Sequence, residues 1–286
     1  MKEFNYYRPE SLREASQLLS SLGEESKLIA GGTALLLVMR QRMLNPQDLI
    51  SIEKLPELSE IHIESDWGIS IGALCTHDQI AQSELIRENF PIISSMASRV
   101  ANPQVRNQGT LGGNICYADP STDPTTCLLS LDAVVVLESN RGTRELLLNS
   151  FLTDYFTTDL KHDEILVRVR IPFLKNNFNG IYYRHLKTEA DHRPILNFSL
   201  LVSSFNDECT HLKLAVGASL PVAKRIPEIE TLLSGKIINI NLINSACEIL
   251  VNKYDFLSDF RADDSYRKKI AESTLKRQLL QVFGQG

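Results

Sequence analysis

Apolar residues recur along the chain at two periods, and the switches between them outline its elements. Leu12, Ala15, Leu18, Leu19 and Leu22 fall at helical spacing behind Ser11, which predicts an amphipathic helix over 10–22 closed by Gly23. Leu28-Ile29-Ala30 predicts a strand, Ala34 onward a helix to about Met43, and Asp48-Leu49-Ile50-Ser51-Ile52 a second strand, together a small α/β lobe ending near Pro56. Ile61-His62-Ile63 and residues 68–73 alternate like strands, and 77–100 reads as helix in two pieces broken before Pro91. Residues 125–131 follow as a helix, with Asp123 as its cap and Pro124 at the first helical position. Strands at 133–137 and 163–172 come next. Polar residues across 173–180, Lys175-Asn176-Asn177 and Asn179-Gly180 among them, predict a linker. The last third changes rhythm, with strands at about 181–186, 195–205 and 211–218 and then helices at 227–234, 241–253 and 264–283, an α+β lobe.

Two polar, glycine-bearing stretches interrupt this pattern. Five of the 14 glycines lie in Ala30-Gly31-Gly32-Thr33 and Gly109-Thr110-Leu111-Gly112-Gly113-Asn114. The first follows an apolar run and precedes another, so it reads as strand, tight turn and helix start. Such a turn lets the main chain approach a ligand closely and aims free N–H groups at an anion such as a diphosphate. An isolated Gly-Gly more often serves only as a tight turn. The second stretch, from Asn102 to Asn114, reads as a loop of about a dozen residues, too polar for an ordinary helix or central strand. Loops of that length in compact domains are usually functional or disordered, and the apolar flanks here favour binding.

Composition narrows what could be bound. No Gly-x-Gly-x-x-Gly occurs, and Gly235-Lys236 is followed by Ile237, so neither a Rossmann fingerprint nor a Walker A loop is present. Histidines at 62, 77, 162, 185, 192 and 211 and cysteines at 75, 116, 127, 209 and 247 show no zinc or iron–sulfur spacing, so no metal is expected on this chain. With 30 Lys and Arg against 35 Asp and Glu, the net charge of −5 argues against nucleic acid as the main partner. The N-terminus, Met1-Lys2-Glu3-Phe4-Asn5-Tyr6, lacks an apolar signal core and no apolar run is long enough to span a membrane, which predicts a cytoplasmic protein. Scattered, odd-numbered cysteines fit reduced thiols.

With both glycine stretches in view, the chain resembles, nearly end to end, the FAD-binding medium subunits of molybdenum hydroxylases such as xanthine dehydrogenase and carbon monoxide dehydrogenase. Leu28-Ile29-Ala30-Gly31-Gly32-Thr33 is similar to that family's first flavin loop, and Pro103-Gln104-Val105-Arg106-Asn107 running into Thr110-Leu111-Gly112-Gly113-Asn114 is similar to its second. Asp163-Glu164-Ile165-Leu166 with Ile171-Pro172, Val216-Gly217-Ala218, and Ser258-Asp259-Arg261-Ala262 with Tyr266-Arg267 match later phrases. The resemblance implies an α+β fold: a two-lobed FAD-binding domain of the vanillyl-alcohol-oxidase-like type, at 1–56 and 57–174, followed by a small C-terminal domain at 175–286. It also implies a cofactor contact set of Leu28, Ile29, Ala30, Gly31, Gly32, Thr33, Ala34, Thr110, Gly112, Gly113, Asn114, Asp123, Ile165, Leu166 and His185. No catalytic side chain is implied, because the flavin carries the chemistry, with His185 as a candidate for tuning it.

The same resemblance implies partners: a large subunit with the molybdenum cofactor, a small subunit with [2Fe–2S] clusters, and an acceptor such as NAD or a quinone. Three positions depart from the family pattern. Ala34 stands where many relatives have an acid, His185 where many have lysine, and Asp191-His192-Arg193-Pro194 replaces the usual Asp-x-Ala. Two other readings stay open at this point. One is a stand-alone flavin oxidase of the same fold, with His77 or Cys116 as an attachment point. The other is a scaffold subunit that has lost its flavin.

Overall fold

The computed structural model describes residues 2–175, 177–189, 191–206 and 208–284. Met1, at the head of the predicted N-terminus, and Asn176, in the predicted linker, lie outside the described residues. The chain divides into two compact units, Met1–Asp119 with Asp132–Phe173, and Pro120–Leu131 with Leu174–Gly286.

The first unit opens with β1 (Asn5–Tyr7), α1 (Leu12–Leu22), β2 (Ser26–Ile29), α2 (Leu35–Arg40) and β3 (Asp48–Ser51). The Ser11 hydroxyl accepts the Glu14 N–H at the start of α1, and Gly23 ends the helix at φ 72°, the left-handed region where glycine carries no Cβ penalty. β1 and β2 both run parallel to the central β3, with Ile29 opposite Ser51. Next come β4 (Ile61–Glu64), β5 (Gly68–Gly72) and five short helices: α3 (His77–Gln82), α4 (Glu84–Asn89), α5 (Pro91–Ala97), α6 (Pro103–Gln108) and α7 (Leu111–Tyr117). After α8 (Asp123–Ser130), which belongs to the other unit, the chain returns as β6 (Val134–Ser139), β7 (Gly142–Leu147), α9 (Leu148–Phe151), β8 (Leu152–Asp154), β9 (Thr157–Thr158) and β10 (Ile165–Pro172). A five-stranded antiparallel sheet in the order β4-β5-β10-β6-β7 results.

One apolar cluster spans both halves of this unit. Ala15 and Leu19 of α1 and Ile50 of β3 pack with Leu55, Leu58, Leu74, Val136, Ile165 and Val167. The predicted boundary at Pro56 therefore lies within a shared core.

Two expectations change here. Residues 77–100 form three helices, because Ser83 ends α3 and its hydroxyl caps α4 by accepting the Ile86 N–H. The stretch 102–114, expected as a loop, forms α6 and α7. Asn102 accepts the Val105 N–H, Pro103 takes the first turn of α6, and the Thr110 hydroxyl accepts the Gly113 N–H, so capping residues organise what composition reads as loop.

The second unit contains β11 (Asn179–His185), β12 (Leu196–Phe205), β13 (Glu208–Gly217), β14 (Lys224–Arg225), α10 (Pro227–Leu233), β15 (Lys236–Ile237), α11 (Ile240–Lys253) and α12 (Asp264–Val282). Its antiparallel sheet runs β11-β12-β13-β14, with β15 added on β13, and an apolar core lies between sheet and helices. Residues 120–131, placed from sequence with the second lobe, cluster with this unit. Hydrogen bonds explain why: Thr126 Oγ1 donates to Asn197 Oδ1 at 2.9 Å, and the Ser130 and Ser199 hydroxyls bond at 2.6 Å. Asp123 is not the helix cap. Thr122 takes that position, while the Asp123 carboxylate accepts the Tyr182 hydroxyl at 2.6 Å inside the unit.

Candidate functional site

The two glycine stretches meet in the first unit. β2 delivers the chain to Gly31, whose backbone lies so close to α6 that a Cβ would overlap the Gln108 carbonyl oxygen and stand 3.3 Å from Gly109 Cα. Gly32 follows at φ 67°, which turns the main chain in the left-handed region before α2 begins. Ala34 caps α2 without a side-chain hydrogen bond. Among the described residues no acceptor meets the N–H groups of Gly32, Thr33, Ala34 and Leu35. Four consecutive donors left open after a left-handed residue form a concave anion-binding arrangement.

The second stretch contributes differently. Leu111 N–H donates to Cys75 O and Gly112 N–H to Ala73 O, each at 2.9 Å, while Gly113 N–H reaches Thr110 Oγ1 at 3.2 Å. These three donors are already taken. Gly112 is needed for packing, since a Cβ there would stand 2.6 Å from Ala73 Cβ. What the second stretch offers is Asn114, whose Oδ1 is buried with no hydrogen-bond partner.

The same unit buries three more unpartnered polar atoms, His77 Nδ1, Ser51 Oγ and, on β5, Ser70 Oγ. Sequence reasoning raised His77 only as an attachment point and read Ser51 only as strand. The signal for both lies in tertiary structure. Ser51 ends the central parallel strand beside Ile29, and carboxyl ends of parallel strands are where such sheets bind ligands. Ile165 and Leu166, at the start of β10, are 1% and 4% exposed, and Ile165 is part of the shared core.

Asp123 and His185 fall in the second unit. Besides the Tyr182 bond, Asp123 lies 3.5 Å from the Arg184 guanidinium. His185 ends β11 with its ring 6.5 Å from that of Tyr266, and burial, with Arg277 beside it, lowers its pKa. The departure at 191–194 has a local role: Asp191 Oδ2 accepts the Thr188 N–H at 2.9 Å, and Arg184 donates to the His192 carbonyl at 2.9 Å.

Comparison with known proteins identifies the arrangement. Residues 2–174 match the model of the FAD binding domain in molybdopterin dehydrogenase, and residues 181–282 match the CO dehydrogenase flavoprotein C-terminal domain. The chain belongs to this FAD-binding family. The flavoprotein is 29% identical over 276 residues to the carbon monoxide dehydrogenase medium chain of Hydrogenophaga pseudoflava, covering 96% of each. It is 27% identical to the xanthine dehydrogenase FAD-binding subunit of Escherichia coli O157:H7, covering 96% of this chain and 94% of that one. A solved carbon monoxide dehydrogenase from H. pseudoflava, lacking the Mo-pyranopterin moiety of its molybdenum cofactor, superposes with a TM-score of 0.92 at 29% identity, covering 96% of each chain. The flavoprotein is thus of the oxidoreductase class, with a mixed helix and sheet fold of FAD-binding domain then C-terminal domain. Its cradle fits the cofactor. Open main-chain donors suit a diphosphate, and Asn114, His77 and Ser51 are polar groups for which the fold supplies no partner.

Proposed function

We propose that this flavoprotein is the electron-transfer subunit of a molybdenum hydroxylase complex. In this reading a large partner subunit carries the molybdenum cofactor and a small one carries [2Fe–2S] clusters. The chain links those clusters to an acceptor such as NAD or a quinone, in the cytoplasm. Among the described residues no helix is long and apolar enough to cross a membrane. FAD, when bound, supplies reversible one- and two-electron chemistry, while the protein supplies binding, orientation and electrostatics.

One observation carries the reading: the two glycine stretches abut in one unit, with Gly32 to Leu35 presenting unpaired donors. In this assignment Gly31, Gly32, Thr33 and Ala34 hold the diphosphate with their main chain, and Leu28, Ile29 and Ala30 set the approach of that loop. Thr110, Gly112 and Gly113 keep α7 close enough for Asn114 to reach the ligand. Ile165 and Leu166 provide apolar surface beside the flavin.

The test is to express the chain alone and beside candidate large and small subunits, then record flavin absorbance and subunit composition. The expected result is stoichiometric FAD, electron transfer to dyes, and substrate oxidation only in the complex. A chain that neither contains nor takes up FAD overturns the reading. Turnover of an organic substrate by the chain alone would instead make it a stand-alone oxidase.

A further inference from the structure

His77 is 2% exposed at the first position of α3. It follows Thr76, which pairs with Thr110 in an isolated bridge between the two segments. Its own N–H donates to the Gly109 carbonyl at 3.2 Å. The ring lies against the same glycine: a Cβ on Gly109 would stand 3.4 Å from His77 Cδ2 and 3.4 Å from Thr33 Oγ1. The imidazole and the hydroxyl of the first loop therefore flank one point of the second loop. Nδ1 is buried without a hydrogen-bond partner.

Burial, with Arg106 beside it, lowers the His77 pKa to about 4, so the ring is neutral near pH 7 and carries one donor and one acceptor. A purely structural role does not explain this residue. Leucine would fill such a space without the cost of desolvating an imidazole, and buried polar groups in folded proteins are almost always paired.

We propose that His77 contacts the cofactor, its imidazole hydrogen-bonding a phosphoryl oxygen of the dinucleotide held between the two glycine loops. The inference rests on the FAD reading above. The open N–H groups of Gly32 to Leu35 meet the charge of the diphosphate, and the neutral ring adds a directed bond on the side of Gly109 that faces Thr33.

The experiment uses the full chain with His77→Leu and His77→Gln, measuring FAD binding by titration calorimetry, ADP by competition, and the melting temperature without ligand. His77→Leu is expected to weaken FAD and ADP alike by about tenfold, while the ligand-free melting temperature holds or rises. His77→Gln, which keeps a donor, recovers most of the affinity. Unchanged affinities overturn the proposal. A loss for FAD with ADP unaffected also overturns it, by placing the ring away from the phosphates. So does a fall in ligand-free melting temperature in both variants that tracks the loss of affinity, which makes the residue structural. Absence of FAD binding by the unaltered chain is a distinct result that removes the parent reading and this one with it.

Discussion

In the second unit buried polar side chains satisfy one another, whereas around the glycine loops of the first unit they do not. Arg267, fully buried, donates to the Ile195 and Ala218 carbonyls at 2.7 and 2.6 Å and to Asp259 at 2.7 Å. Asn197 is matched at both ends, its Oδ1 accepting Thr126 and its Nδ2 donating to the Thr122 carbonyl. In the first unit Ser51, His77 and Asn114 each bury an atom without a partner, and four successive N–H groups stay open. Paired groups are structural cement for the segment 120–131 and the C-terminal helix. Unpaired ones on and beside the glycine stretches mark where a ligand completes the structure, while Ser70 on β5 is unpaired elsewhere in the unit.

The strongest way to break this contrast is Gly31→Ala. Its Cβ overlaps main-chain atoms of Gln108, which cannot rotate away. Fluorescence titration should show at least a tenfold loss of FAD affinity, with about 1–3 kcal/mol of destabilisation in urea unfolding. Arg267→Ala should instead cost about 3–5 kcal/mol of stability, because it strips hydrogen bonds and leaves Asp259 short of a partner. Chemical denaturation measures it, and FAD affinity at temperatures well below unfolding should stay unchanged.

Acid titration separates the units next. The lowered His77 pKa means that the folded first unit binds fewer protons than the unfolded chain. Its contribution is complete above pH 6.5 and declines as pH falls toward 4, by on the order of 3 kcal/mol. His77→Leu should flatten that limb. In the second unit burial pushes the Asp259 carboxyl up, but Arg261 and Arg267 outweigh it and hold the pKa at about 2. Stability from this carboxylate is present above the ordinary aspartate pKa and is lost as pH falls through about 2. Differential scanning calorimetry across pH 7 to 2 should therefore show the first unit weakening first. The smallest effects come from single hydrogen bonds. Thr110→Ala removes the cap on Gly113 and should cost about 1 kcal/mol with a modest loss of FAD affinity. Tyr182→Phe should cost about 1 kcal/mol without that loss. Equal effects on FAD would erase the distinction between the regions.

Legibility in the sequence followed the same division. The long C-terminal helices were readable within a residue or two, 241–253 against Ile240–Lys253 and 264–283 against Asp264–Val282, because long periodic segments set their own buried face. Between 77 and 117 periodicity gave less, since helices of six or seven residues have too few turns to show a period. There the caps Ser83, Asn102 and Thr110 make the helices, and they sit in a composition that also suits loops. Strands β1 and β7 went unread for a related reason: β1 has three residues, and β7 has no buried residue to impose alternation. Asp123 had a sound local reading as a cap, overridden by Tyr182, which is distant in sequence and adjacent in space.

By itself the sequence determined the glycine pair, the exclusion of Rossmann and Walker loops, the family, and through it FAD. These depend on residue identity at short spacing, which local steric and hydrogen-bonding rules translate directly. Tertiary structure decided which glycines expose donors and which only pack, and that α8 joins the second unit. It also decided that His77 and Ser51 are stranded without partners. Whether a polar atom is satisfied depends on residues dozens of positions away arriving beside it, and only the folded chain holds that information.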